Sequence, residues 1–225
     1  MDIFDFGGNK YTPPTPLNGL VWEQIGDSLT ALESGSGTKD GNIGFGTAIS
    51  KRHGCKFVNN GTFGASWTVR NNEEYDSFCG VTRVDELLAS NDLPDILTIA
   101  LGTNDRENGE TTDTATTTTT LYGAVRYCLN ALKTNAPTLR LGVVIPPNRG
   151  TTNGAVDSAQ KARNEIIKTV CREYAVPYVD MMETSGITPQ MLSDGLHLYS
   201  DIIKDGMPVC RWFYMRALEQ FLLTL

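Results

Sequence analysis

The chain has 225 residues, of which 40% are hydrophobic, and it carries a formal net charge of −7 at pH 7. This length fits one fairly large domain, although length alone also allows two small ones, and the hydrophobic content suffices for a substantial core. The acidic balance argues against a nucleic-acid partner, because phosphate binding needs a basic surface. No run approaches the ~18 consecutive apolar residues that a membrane span requires.

The first 19 residues differ in composition from the rest of the chain. They contain Gly7-Gly8 and Pro13-Pro14-Thr15-Pro16, which are typical of an extended arm or linker. We therefore interpret residues 1–19 as an N-terminal arm and residues 20–225 as one folded domain. The acidic start, Met1 to Phe6, lacks the apolar segment of a signal peptide. Localisation stays open on this evidence: cytoplasmic for the chain as it stands, or secreted if a preceding segment was removed.

Five widely spaced cysteines include no Cys-x-x-Cys pair: Cys55, Cys79, Cys128, Cys171 and Cys210. An odd number at such spacing is neither a disulfide framework nor a zinc site. We expect most of them to be buried apolar side chains. Whether any two of them pair is not decided by the sequence.

Strand and helix patterns alternate from Leu20 onward. Apolar runs predict five strands, at residues 20–25, 56–59, 95–101, 140–145 and 176–181. Helical patterns end near residues 51–54 and cover 84–89, 121–133, 155–174 and 207–225. Such alternation implies an α/β fold in which helices cover both faces of a five-stranded parallel sheet. Ligands bind such sheets beyond the carboxyl ends of the strands.

A serine follows the first predicted strand directly, in Gly26-Asp27-Ser28-Leu29. It opens a helix, whose free N–H groups and positive dipole end stabilise developing negative charge. Ser28 is therefore a candidate nucleophile. Taken alone, a helix N-cap is the simpler interpretation.

Two further polar loops follow the second and third predicted strands. Asn59-Asn60-Gly61-Thr62-Phe63-Gly64 contains glycines that let backbone N–H groups approach a ligand closely. Gly102-Thr103-Asn104-Asp105 contains an amide that could donate to an oxyanion. Each loop, taken alone, is also an ordinary turn sequence.

One of the only two histidines in the sequence stands in Asp194-Gly195-Leu196-His197. The spacing lets a single tight turn bring both side chains to one place. The carboxylate can then accept the Nδ1 proton, which fixes the tautomer and leaves Nε2 free as a base. A helix-capping or partly buried histidine is the alternative for His197 alone.

Together the four motifs supply a nucleophile, a base, an orienting carboxylate and oxyanion donors, which is a complete acyl-transfer site. Because the four motifs stand in this order and at these positions, the chain resembles the SGNH hydrolase family, also called GDSL esterases and lipases. The resemblance spans Ile25 to His197. It implies a flavodoxin-like, three-layer α/β/α fold for a catalytic domain over residues 20–225, with no metal or other cofactor.

The resemblance also implies the roles of individual residues. Ser28 would be the nucleophile, His197 the base and Asp194 its orienting partner. The backbone N–H groups of Ser28 and Gly64 and the side-chain amide of Asn104 would be the oxyanion donors. Family members usually carry a small residue where Phe63 stands, so the choice of Gly64 over Gly61 rests on its distance from Asn59.

Three other functions fit the sequence less well. A cysteine hydrolase would need Cys55 and His53, but such short-range pairs are not how those sites are built. A zinc deacetylase would lack ligands, because one of two distant histidines is already assigned. A non-catalytic carbohydrate-binding module on the same fold is disfavoured by the intact set of site residues.

The substrate is less well defined than the chemistry. We expect a small-molecule or glycan ester, with a short-acyl esterase acting on acetylated carbohydrate as the leading hypothesis. Trp67 and Arg70 follow the Gly64 loop, where an aromatic ring and a cation could contact a sugar, although ordinary packing of Trp67 is equally reasonable. A lysophospholipase or thioesterase is the alternative. The sequence does not indicate the oligomeric state.

Overall fold

A five-stranded parallel sheet forms the centre of the molecule in the computed structural model, which describes residues 5–6, 9–10, 15–32, 44–90, 92–150, 156–192, 194–198, 203–204 and 207–225. Two short strands, β1 (Asp5–Phe6) and β2 (Asn9–Lys10), first pair antiparallel near the N-terminus. The central strands are β3 (Val21–Gly26), β4 (Lys56–Gly61), β5 (Ile96–Ala100), β6 (Arg140–Ile145) and β7 (Tyr178–Asp180). Their order in the sheet is β4-β3-β5-β6-β7. This is the flavodoxin-like order, and it confirms the expected fold class.

Helices cover both faces of this sheet, between and after the strands. In chain order they are α1 (Ser28–Ala31), α2 (Phe45–His53), α3 (Glu73–Asp76), α4 (Gly80–Ala89), α5 (Leu121–Asn135), α6 (Ser158–Glu173), α7 (Met181–Thr184) and α8 (Val209–Leu222). A 3₁₀ turn (Pro189–Met191) follows α7, and β8 (Ile203–Lys204) pairs with β9 (Met207–Pro208) before α8.

The alternation of side chains along each strand divides the core between the two faces. Leu97 and Ile99 pack with α4, α5 and α6 on one face. Ile96 and Trp22 pack with α2 and α8 on the other face. The three-layer arrangement therefore follows from strands that are apolar on both sides.

Several element ends differ from the predicted ones for local reasons. Strand β7 ends at Asp180, because this side chain accepts a hydrogen bond from the N–H of Met182 and caps α7. Helix α8 begins at Val209, after the β9 pairing of Met207–Pro208. The short helix α3, capped by Asn72, was not predicted. Most of the predicted arm over residues 1–19 lies outside the described residues, so that boundary stays a prediction.

The polar residues of β3 have a structural explanation. Gln24 is fully buried, and its amide donates to Thr30 Oγ1 of α1 at 2.8 Å and accepts from Thr98 Oγ1 of β5 at 3.2 Å. Gly26 permits this close approach, because a Cβ there would lie 2.0 Å from Thr30 Oγ1. The end of β3 and the start of α1 are thus anchored in the core, immediately beside Ser28.

All five cysteines are buried with free thiols. This location agrees with their expected role as apolar side chains. Among the described residues, no helix combines the length and apolarity that crossing a membrane demands.

Candidate active site

Ser28 lies where the strand order of the sheet reverses. It begins α1 directly after β3, and the neighbours of β3 in the sheet are β4 and β5. Asp27 caps α1 by accepting the N–H of Leu29 at 2.9 Å. A serine here stands at the topological switch point, which is the usual ligand position in this architecture.

The structure brings the three residues of the expected relay together. The Nε2 atom of His197 lies 3.0 Å from Ser28 Oγ, although the two residues are 169 positions apart in the chain. The Nδ1 atom of His197 lies 2.5 Å from Asp194 Oδ2. Ser28 is buried apart from 6% of its surface, whereas the Asp194 side chain is 50% exposed. A continuous hydrogen-bonded path therefore runs from hydroxyl through imidazole to carboxylate.

Asp194 is held in its ionised form by its own turn. Burial alone would raise the pKa of its carboxyl, but hydrogen bonds from His197 and Leu196 lower it to about 2. The backbone N–H groups of Leu196 and His197 donate to Oδ1 at 2.9 and 2.7 Å. The second oxygen is left to the imidazole, so the carboxylate can fix one tautomer of His197.

Asp27, beside Ser28, shows the opposite shift. Burial raises the pKa of its carboxyl to about 6, because the hydrogen bond from the N–H of Leu29 offsets the cost of desolvation only in part. This aspartate is therefore protonated more readily than an exposed one.

Two oxyanion-donor candidates, the backbone N–H of Gly64 and the side-chain amide of Asn104, lie in the loops that follow β4 and β5, the strands on either side of β3. Gly64 takes φ +81°, in the left-handed region where a side chain would be strained. Asn104 Nδ2 donates to the carbonyl of Ala65 at 2.9 Å. This bond orients the amide and leaves its second hydrogen available for a ligand.

A buried aspartate connects these two loops. Asp105 accepts the backbone N–H groups of Trp67 and Thr68 at 3.1 and 3.0 Å. Burial raises the pKa of the Asp105 carboxyl, and the two N–H groups lower it again in part. The loops after β4 and β5 are thus joined to each other.

The structure gives the two candidate sugar-binding residues other surroundings. The Trp67 side chain is fully buried in the core beneath the loop, so its ring has no surface for a sugar and serves in packing. Arg70 donates from Nη2 to the carbonyl of Gly64 at 3.1 Å and to that of Asn104 at 2.8 Å. The side-chain hydrogen bonds of Arg70 are therefore made to backbone carbonyls of the protein, where the sequence suggested a contact with a sugar.

Two exposed aromatic side chains adjoin Gly64. Phe63 is 54% exposed and Tyr75 is 37% exposed. The Tyr75 ring lies against Gly64, since a Cβ there would be 3.1 Å from Tyr75 Cε1. The sequence marked Phe63 only as a departure from the family pattern. It gave no signal for Tyr75, which stands outside every motif.

The second histidine and its neighbouring cysteine do not form a nucleophilic pair. His53 Nε2 lies 2.8 Å from Glu219 Oε1 of α8. Burial raises the pKa of the Cys55 thiol, whereas a nucleophilic cysteine needs a lowered pKa. Among the described residues, no cluster of three His, Cys, Asp or Glu side chains could hold a metal ion.

Comparisons with known proteins agree with this architecture. A protein from Lactobacillus plantarum has a similar structure, with a TM-score of 0.71 at 22% identity over 92% of this chain and 98% of that one. An acetylxylan esterase from Geobacillus stearothermophilus has a TM-score of 0.57 at 16% identity over 91% of this chain and 94% of that one. At these identities the likeness shows the fold. No sequence match was found among curated proteins.

The family is shown by a sequence profile that covers most of the chain. The profile of the GDSL-like Lipase/Acylhydrolase family matches residues 25–201, which contain Ser28 at one end and His197 at the other. The chain belongs to the GDSL-like lipase/acylhydrolase family.

Proposed function

We propose that the protein is a serine esterase that hydrolyses carboxylic esters through an acyl-enzyme on Ser28. The observation that carries this proposal is the hydrogen-bonded path from Ser28 Oγ through both nitrogens of His197 to Asp194. An aspartate-oriented imidazole within hydrogen-bond distance of a serine is the arrangement that activates a hydroxyl at neutral pH.

The first half of the reaction acylates Ser28. His197 Nε2 removes the hydroxyl proton while Ser28 Oγ attacks the ester carbonyl carbon. The negative charge that develops on the carbonyl oxygen is stabilised by the N–H groups of Ser28 and Gly64 and by the amide of Asn104. His197 then gives the proton to the alcohol oxygen as the carbon–oxygen bond breaks.

The second half releases the acid. Water takes the place of the alcohol, His197 Nε2 removes one of its protons, and the hydroxyl attacks the acyl carbon. The same donors stabilise the second tetrahedral intermediate. Its collapse returns the proton to Ser28 Oγ and frees the carboxylic acid.

Acetylated carbohydrate is the substrate class that we favour. Two exposed aromatic side chains, Phe63 and Tyr75, adjoin Gly64, and aromatic rings offer a rigid apolar surface to a sugar ring. The fold is shared with an acetylxylan esterase, which supports the same direction. A lysophospholipase or thioesterase is the alternative within the family's chemistry, and it would require a site for a long acyl chain.

A chain-length series tests this proposal. Aryl esters from acetyl to octanoyl, together with acetylated xylan, pectin and sialic acid, would be assayed with the wild type and with Ser28→Ala. We expect the highest kcat/KM for acetyl esters, and a loss of about 10⁴-fold or more in kcat for the variant. Activity that rises toward octanoyl would overturn the deacetylase assignment in favour of the alternative.

The same assay separates an enzyme from a binding module. Wild-type protein that hydrolyses none of these esters, or a Ser28→Ala variant that retains full activity, contradicts the esterase proposal itself. Binding of acetylated glycan without turnover would then favour the non-catalytic module.

A further inference from the structure

The proposed oxyanion donors Gly64 and Asn104 belong to two different loops. The Gly64 loop (residues 62–70) follows β4, and the Asn104 loop (residues 101–106) follows β5. Strand β3 separates β4 from β5 in the sheet, so backbone pairing does not join the two loops directly. Because both donors must point at one oxygen atom, contacts between the loops have to set their relative position.

Arg70 makes the contact that involves both donor residues at once. One nitrogen, Nη2, donates to the carbonyl of Gly64 at 3.1 Å and to the carbonyl of Asn104 at 2.8 Å. A guanidinium is planar and permanently charged, so its hydrogen bonds to carbonyl oxygens are charge-assisted and directional. Movement of either loop would stretch one of these two bonds.

The guanidinium is itself held in place. It lies over the Tyr75 ring, 5.0 Å from the centroid. The main chain of Arg70 is fixed as well, because its N–H donates to Asp76 Oδ1 at 2.6 Å. Tyr75 in turn contacts Gly64. The arginine is therefore ordered before any substrate binds, and little conformational entropy has to be lost in the reaction.

We propose that Arg70 is a positioning residue that sets the distance between the oxyanion donors by bridging the carbonyls of Gly64 and Asn104. The inference rests on the proposed function of the Ser28 site and adds a residue to it. Arg70 acts through the two donors, and its hydrogen bonds explain why a cation stands beside them. Two other connections join the same pair of loops. Asn104 Nδ2 donates to the Ala65 carbonyl at 2.9 Å, and Asp105 accepts the backbone N–H groups of Trp67 and Thr68 farther along the Gly64 loop.

The test compares Arg70→Met and Arg70→Lys with a matched control, Arg126→Met. Arg126 also lies over a tyrosine ring, 5.2 Å from the centroid of Tyr122, and donates to a backbone carbonyl, that of Asp113, outside the proposed site. Steady-state kinetics on an aryl acetate and the melting temperature would be measured for each variant. We expect Arg70→Met to lower kcat by about 10- to 100-fold with KM nearly unchanged, because a misplaced donor is lost in the transition state.

The conservative and control variants sharpen this result. Arg70→Lys keeps a cation that can reach one carbonyl, so we expect it to recover part of kcat. Arg126→Met should lower the melting temperature and leave kcat within about twofold. Guanidinium added at non-denaturing concentration should raise kcat of a truncated variant, Arg70→Ala, whose shortened side chain leaves room for it, and should leave the wild type and Arg126→Met unchanged.

A double-mutant cycle with Asn104→Ala distinguishes positioning from direct substrate contact. If Arg70 acts through the donors, Arg70→Met should lower kcat much less in the Asn104→Ala background than in the wild type. An unchanged effect in that background, or a rise in KM that depends on the alcohol, would overturn the inference in favour of substrate contact. If Arg70→Met does not fold, the same cycle with Arg70→Lys decides.

The controls also separate this inference from the proposed function. If Ser28→Ala is inactive but the Arg70 variants have a normal kcat, only the positioning role of Arg70 is overturned. Wild-type protein without esterase activity, or an active Ser28→Ala variant, would overturn the proposed function first.

Discussion

The base side and the nucleophile side of the site are held in place by different means. On the base side, Asp194 is half exposed and is surrounded by donors from its own four-residue turn. On the nucleophile side, Asp27 is almost completely buried and caps α1 at the end of a core strand. The base side is therefore held by hydrogen bonds within one turn, and the nucleophile side is held by the packing of the sheet.

The pKa values of the two aspartates express this difference. Desolvation acts on both carboxyls in the same direction and raises the pKa. Hydrogen bonds overcome it at Asp194, whose pKa falls to about 2, but not at Asp27, whose pKa rises to about 6. Hydrogen-bond donors, rather than exposure alone, therefore keep the carboxylate partner of His197 ionised.

The largest effect is expected from Asp194→Asn. Asparagine keeps an oxygen for the backbone donors but presents an N–H to His197 Nδ1, so the imidazole takes the tautomer that cannot accept the Ser28 proton. We expect kcat to fall by about 10³- to 10⁴-fold. Steady-state kinetics on an aryl acetate measures this loss.

Asp157→Asn is the matched control for that variant. Asp157 also accepts backbone N–H groups in a cap, at the start of α6, and it lies outside the relay. We expect its kcat to stay within about threefold of the wild type. Equal losses in both variants would contradict the tautomer argument.

Asn104→Ala is expected to have the next largest effect. The substitution removes one oxyanion donor, and such a loss lowers kcat by about 10²- to 10³-fold. Asn135→Ala serves as control, because this exposed amide also donates to a backbone carbonyl, that of Ala131 at 2.9 Å. A kcat for Asn104→Ala within a few-fold of the wild type would remove Asn104 from the oxyanion site.

Asp27→Asn tests the buried side through pH. Because the pKa of Asp27 is raised in the folded state, its contribution to stability is complete below about pH 4 and declines as the pH rises through about 6. Asparagine cannot ionise and still caps α1. The difference in unfolding free energy, variant minus wild type, should therefore increase by at most about 3 kcal/mol as the pH rises from 4 to 7.

Urea unfolding across this pH range measures the gain, and Asp113→Asn is the control. The hydroxyl of Thr120 and the N–H of Glu110 donate to Asp113 Oδ2 and lower the pKa of that carboxyl, so it stays ionised from pH 4 to 7 and the difference in stability between this variant and the wild type should stay nearly constant. A difference between Asp27→Asn and the wild type that does not change with pH would contradict the raised pKa of Asp27.

The same contrast between local and tertiary structure explains what the sequence could predict. The spacing of Asp194 and His197 is contained in one turn, so the hydrogen bond between them could be read from four residues. The strands could be read from apolar runs, and their order followed from the family resemblance. Ser28 became the candidate nucleophile because it follows a strand directly and because the other three motifs accompany it.

Residues whose roles depend on distant partners could not be read in this way. Arg70 was a possible sugar contact from its place after the Gly64 loop. Its bond to the carbonyl of Asn104 could not be predicted, because that partner is 34 residues away and carries no sequence signal. For Trp67, contact with a sugar and ordinary packing were equally reasonable from the sequence, and its ring is buried in the core. Tyr75 reaches Gly64 through a short helix that no periodic pattern indicated.

Covalent labelling is the most direct test of the claim that His197 activates Ser28. The protein would be incubated with an aryl organophosphonate, and the modified residue would be identified by peptide mass spectrometry in the wild type and in His197→Ala. We expect a single adduct on Ser28 of the wild type and labelling slowed by at least about 10³-fold in the variant. An adduct on another residue, or equal labelling rates in the two proteins, would contradict activation of Ser28 by His197.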